Sequence, residues 1–169
     1  MFTIKASSHE GQSNSLQVEK YPDTCPICHT AIHPTFITAV TSGFNPTRLP
    51  QVVFGCRKLE CHRLFIGIYD QSPGSSLQVL RGVIPLVPKD VEFSEAITEL
   101  SPMFVQIYKQ SVVAETFGLH QLHGIGLRKA LEFLVKDFAK SQMPTEKDAI
   151  ENTQPLQCIN NYLDDQRIR

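Results

Sequence analysis

Cys25-Pro-Ile-Cys28 and Cys56-Arg-Lys-Leu-Glu-Cys61, with 27 residues between the two pairs, decide how the first half of this chain reads. Each pair is short enough for one tight turn to present two sulfurs to a metal, and four thiolates complete a tetrahedral shell. The expectation is a structural zinc ion held by Cys25, Cys28, Cys56 and Cys61. The insert is longer than in the commonest zinc motifs, and the second pair encloses four residues instead of two; zinc tolerates both. Cysteines packed merely as small apolar side chains would have no reason to fall into two turn-like pairs. A shell filled by sulfur leaves no position at which water could be activated, so the chemistry read here is structural.

A histidine follows each pair, His29 and His62. Cys25 to His29 matches the attachment pattern of a c-type haem, but that chemistry requires export, and Met1 to Glu10 holds no apolar run of signal-peptide length. A thioredoxin-like redox pair would need a strand-to-helix junction in a βαβ unit, which the flanking residues do not suggest. The two histidines read as turn residues, with orientation of the site or replacement of one thiolate as the alternative.

The 169 residues include 16 basic and 17 acidic side chains, a formal charge of -1, which is no global footprint for binding nucleic-acid backbone. A local basic patch stays open. No stretch approaches a membrane span, so no membrane partner is expected, and the absence of a leader sets the expectation of a cytoplasmic protein. Five cysteines are an odd number, and in a reducing compartment paired cysteines hold metal more often than they form disulfides. Cys158 reads as a free buried thiol.

Up to about residue 88 the period is that of strands. Phe2 to Ile4 and Leu16 to Val18 read as short strands around a polar loop from Ser7 to Ser15. Val52 to Phe54 and Leu64 to Tyr69 flank the second cysteine pair as a metal-bearing hairpin should, and Leu77 to Val83 follows the turn at Pro73-Gly74. Pro85, Pro88 and Lys89-Asp90 then break regular structure, and from Ser94 the apolar period becomes helical. Ser94 and Ser101-Pro102 are start signals, and Gly118 is a stop. Leu119 to Lys140 is the longest helix, with Leu127, Ala130, Leu131, Leu134 and Phe138 on one face and a Glu132 to Lys136 ion pair on the other. Thr145 with Asp148 resembles a capping box. The fold class is therefore α+β: a zinc-ribbon-like antiparallel β subdomain over residues 1–88, then an antiparallel helical bundle over 89–169.

Two further features carry chemistry. His120, His123 and Gly124-Ile-Gly126 suggest a phosphate-binding helix start, but a dinucleotide fingerprint needs a third glycine and a preceding strand; close helix packing is the favoured reading. Lys5, Lys20, Arg48, Arg57, Lys58 and Arg63, with Phe54 and Phe65 nearby, offer the β half a basic face for nucleic acid, interrupted by Glu60 and Asp70.

Taken with Val83-Ile-Pro-Leu86, the segments Tyr21-Pro-Asp-Thr-Cys-Pro-Ile-Cys-His29 and His123-Gly-Ile-Gly-Leu-Arg-Lys-Ala-Leu-Glu-Phe-Leu-Val-Lys-Asp-Phe138 resemble the bacterial domain of unknown function 4145 over most of the chain. The resemblance implies a cysteine-pair ribbon joined to a helical domain related to the HEPN superfamily, used in bacterial defence or restriction. It implies no defined activity; the leading expectation is a non-enzymatic, zinc-stabilised module that binds a protein or nucleic-acid partner, with a homodimer, as HEPN relatives often form, as one arrangement. The alternative is a HEPN-like, metal-independent ribonuclease in which an arginine steadies charge on the scissile phosphate and a histidine moves a proton. That machinery would be truncated here, or completed by a missing C-terminal segment, since the family's Gly-Asn step and later histidine are expected just beyond Arg169. Arg128 matches the arginine of the family's helix motif and reads as structural, paired near Glu132 or at the subdomain interface. No catalytic residue is assigned.

Overall fold

The computed structural model describes residues 1–8, 11–41 and 49–163. The chain divides into two compact units, Met1–Val87 and Pro88–Arg169, the first of strands and the second of helices, which makes it α+β.

Among the described residues, six strands form the first unit: β1 (Phe2–Ser8), β2 (Ser13–Val18), β3 (Thr35–Thr41), β4 (Gln51–Gly55), β5 (Leu64–Gln71) and β6 (Leu77–Ile84). They close into a barrel in the order β1-β2-β6-β5-β4-β3. Four interfaces are antiparallel, while β1 with β3 and β2 with β6 run parallel over two residue pairs each. The sheet thus departs from a purely antiparallel ribbon, and closure removes the open edges that a ribbon would expose. Alternate residues point inward, as the period of two requires: Ile4 and Ala6 from β1, Val52 and Phe54 from β4, Phe65 and Tyr69 from β5. Gly67 lies between the last two, where a Cβ would come within 3.0 Å of both the Phe54 and Tyr69 rings; those two rings fit beside the strand because that position has no side chain. The buried Tyr69 hydroxyl is satisfied by donating to the Lys20 carbonyl at 2.8 Å, which ties the wall to the segment leading into the first cysteine pair.

The helices among the described residues are α1 (Glu95–Leu100), α2 (Pro102–Thr116), α3 (His120–Gln142), α4 (Lys147–Glu151) and α5 (Pro155–Tyr162), with a 3₁₀ turn at Pro144–Glu146. Ser94 and Ser101 occupy N-cap positions without capping by their side chains; the Ser101 hydroxyl donates to Asp137 on α3 instead. Thr145 and Asp148 form no capping box, because the chain enters α4 through that 3₁₀ turn. Gly118 ends α2 at φ 72°, with its N–H on Glu115 O at 2.9 Å and the Leu119 N–H on Ala114 O at 2.8 Å, a complete Schellman closure. The pairs Ser111 with Gly126 and Ser101 with Asp137 run in opposite senses, so α2 and α3 form an antiparallel hairpin. Gly126 permits the approach, since a Cβ there would collide with the Ser111 side chain; Gly124 has open space around it. His123 is half-buried with Nδ1 against Ser111 O at 2.9 Å, whereas His120 is exposed.

The apolar face of α3 differs from the expected stripe. Ala130, Val135, Lys136 and Ala139 are its buried residues, while Leu131 is 55 % and Phe138 39 % exposed. The helix has two packing partners: α2 takes the side of Gly126, and the Val135 and Ala139 side meets Ile150, Cys158 and Leu163 beyond it. Glu132 and Lys136 do pair at 3.1 Å, but Glu132 also takes Lys129 at 3.0 Å. Arg128, expected near Glu132, is exposed and makes no ion pair among the described residues. No helix among the described residues is long and apolar enough to cross a membrane.

Candidate metal centre

The second cysteine pair sits on the loop of the β4–β5 hairpin. Gly55 and Leu64 are its last ladder pair, and the next bond, Cys56 N–H to Arg63 O at 3.0 Å, closes the loop that presents Cys56 and Cys61. The first pair lies between β2 and β3 on a small turn of its own, held by an isolated bridge of Thr24 with Ala31 and by Cys25 N–H to Thr30 O at 3.0 Å. Inside it the Ile27 N–H points at Cys25 Sγ at 3.5 Å.

These two turns bring all four sulfurs together: Cys25, Cys28, Cys56 and Cys61 offer ligand atoms within 4.8 Å of one another. The closest contacts cross between the pairs, Cys25 with Cys61 at 3.9 Å and Cys28 with Cys56 at 3.8 Å. A disulfide would need about 2.05 Å. An ion bonded to four sulfurs at about 2.3 Å demands tetrahedral edges of about 3.8 Å, so donor set and spacing are compatible with a bound metal.

Both histidines after the pairs adopt the left-handed conformation, His29 at φ 54° and His62 at φ 44°. Each reverses the chain as it leaves its turn, with the His29 N–H on Cys25 O at 2.9 Å and the His62 N–H on Lys58 O at 3.0 Å. The cluster consists of cysteines alone. Histidine suits the place because it tolerates the left-handed region better than most side chains.

The four thiols are not equivalent. The Thr30 hydroxyl lies 3.0 Å from Cys28 Sγ, and that hydrogen bond lowers the Cys28 pKa to about 6. Burial pushes Cys56 up to about 12 and raises Cys25 as well. Without an ion the buried pair therefore keeps its protons at neutral pH, because charge there is costly to desolvate. A metal replaces those protons, so affinity rises with pH as the thiols release them. Nothing in the cysteine spacing signalled the role of Thr30; it follows only from the turn that folds residue 30 back onto the pair.

The expected basic face is less continuous than its positions suggest. Arg57 and Lys58 are exposed beside the cysteines, and Lys58 pairs with Glu60 at 3.1 Å. Arg48 lies outside the described residues. Phe54 and Phe65 are buried in the barrel, at 0 % and 1 % exposure, and offer no stacking surface.

No protein-family model, curated protein or solved structure matches the chain.

Proposed function

We propose that this chain is a zinc-stabilised binding module for a protein or nucleic-acid partner, with no catalytic role for the metal. The four-cysteine cluster carries the reading: its sulfurs span two separate turns at spacings that suit a tetrahedral ion. Zinc is the ion because four thiolates select it over harder cations, and four sulfur ligands leave no coordination site for substrate. Its contribution is to hold together two turns that no backbone hydrogen bond joins to each other among the described residues. The two cysteine-bearing turns support a zinc-ribbon-like reading of the β unit, the resemblance to domain of unknown function 4145 supports a helical half of HEPN type in bacterial defence or restriction, and the unbridged cysteines suit a reducing, cytoplasmic setting.

Elemental analysis of protein purified under reducing conditions should find about one zinc per chain. Cys25→Ser should lose it, together with most of the stability of the β unit. A folded wild-type protein containing no metal would sink the proposal.

A further inference from the structure

Beside the cysteine cluster lies an open groove of about 410 Å³, lined by Thr30, Ala31, Ile32 and His33 from the exit of the first cysteine turn and by Arg57 and Lys58 from the second. Its floor is partly apolar, and its charged wall is cationic. Arg57 makes no ion pair among the described residues, and Lys58, which also lies in the field of the Cys28 and Cys61 sulfurs, pairs with a Glu60 that is itself 81 % exposed, so neither cation is held in a buried pair. Exposed pairs of that kind contribute little and exchange readily for a better-placed carboxylate. At the tip of the same loop, between Lys58 and Glu60, Leu59 is 84 % exposed.

Two cations over an apolar floor, with a leucine held out to solvent next to them, match a ligand that alternates carboxylates with apolar side chains. Arg57 can take a carboxylate through two parallel hydrogen bonds, and Lys58 a second one as a point charge. Nucleic acid suits the groove less well. Single strands are gripped by stacking on several aromatic rings and by a track of cations, and this groove offers one imidazole, His33, and two cations. We infer that the groove between the two cysteine turns binds an acidic, leucine-bearing peptide segment of a partner protein, its carboxylates on Arg57 and Lys58 and its apolar side chains on Ile32 and Leu59. This rests on the binding-module reading and names the class of partner.

The test uses the full, zinc-loaded chain and a fluorescein-labelled twelve-residue peptide of alternating Glu and Leu. Fluorescence polarisation at low salt reads the binding; a Lys-Leu peptide and labelled single-stranded and duplex DNA are the comparators. The Glu-Leu peptide should bind, and Arg57→Glu should weaken it by about tenfold or more, the scale of one charge-assisted contact. Leu59→Ser should also weaken it, whereas Lys109→Glu in the helical unit should not. Equal binding by the Lys-Leu peptide, preference for DNA, or indifference to Arg57→Glu would each overturn the groove. Zinc content measured on every sample keeps the two readings apart. Loss of peptide binding with zinc retained ends the groove alone, and a zinc-free protein that still binds through Arg57 ends the metal reading alone.

Discussion

A single backbone angle separates the two roles open to His29 and His62. At φ 54° and 44° each side chain sits where any L-residue is strained, at a cost of roughly 1 kcal/mol that glycine would not incur. If the histidines serve only to turn the chain, His29→Gly keeps one zinc per chain and raises the stability of the β unit by about 0.5–1 kcal/mol, read by denaturant unfolding. His29→Val, β-branched at the same angle, lowers it. Loss of zinc in the glycine variant would make the imidazole a ligand after all. The cysteines were legible because metal chemistry dictates their spacing; the histidine conformations were not, because nothing local distinguishes a left-handed residue from an ordinary turn.

Among the elements, the helix boundaries were read well and the helix faces poorly. Pro102 and Gly118 bound α2 through local chemistry, a ring preset for the first turn and a residue free to turn left-handed. The buried side of α3 depends instead on two neighbours, so a single 3.6-residue stripe through Leu131 and Phe138 could not describe it. Lys136, placed by its charge on the polar side, lies 8 % exposed with Nζ donating to the Glu151 carbonyl at 2.7 Å. Strand β3 escaped notice for a related reason: a register shift between Phe36 and Thr38 breaks the alternation by which strands are recognised. The ion pairs along α3 make a testable contribution. Lys129 and then Lys136 hold the Glu132 carboxyl below the usual carboxylate range. Stability from that carboxylate is fully present above its unfolded pKa of about 4.3 and is lost as pH falls through the depressed folded value. Glu132→Gln should lower the melting temperature of the helical unit by roughly 3 °C at pH 6 and leave it almost unchanged at pH 2, followed by circular dichroism.

Over the whole molecule, two units with separate cores should respond separately to metal removal. A chelator should lower the thermal transition of the β unit by 10 °C or more, since a structural zinc contributes on the order of several kcal/mol of folding energy. The transition of the helical unit should stay within roughly 2 °C of its starting value. Thiol titration follows the same division: four thiols become reactive once the metal leaves, while Cys158, fully buried in the helical core, reacts only as that unit unfolds. A single coincident transition lost on chelation would show the two units to be coupled. Strand pairing across the barrel was the least legible property of all. Alternation says that a segment is a strand, whereas closure joins Ser7 to Val40 and Gln17 to Leu77, partners no local pattern names.

Those two short parallel seams have a consequence for the order in which the protein is made. As the chain emerges from the ribosome, β1 and β2 can zip into a hairpin at once, but the free edge of β2 must wait for β6, some sixty residues later. Cys61 emerges before β6 does, so the complete set of sulfurs is available while the barrel is still open. Metal captured at that stage would fasten β4 and β5 to the segment leading out of β2, shortening the loop that the last strand has to close. An ion bound there would act as a clasp during synthesis as well as a brace in the finished fold.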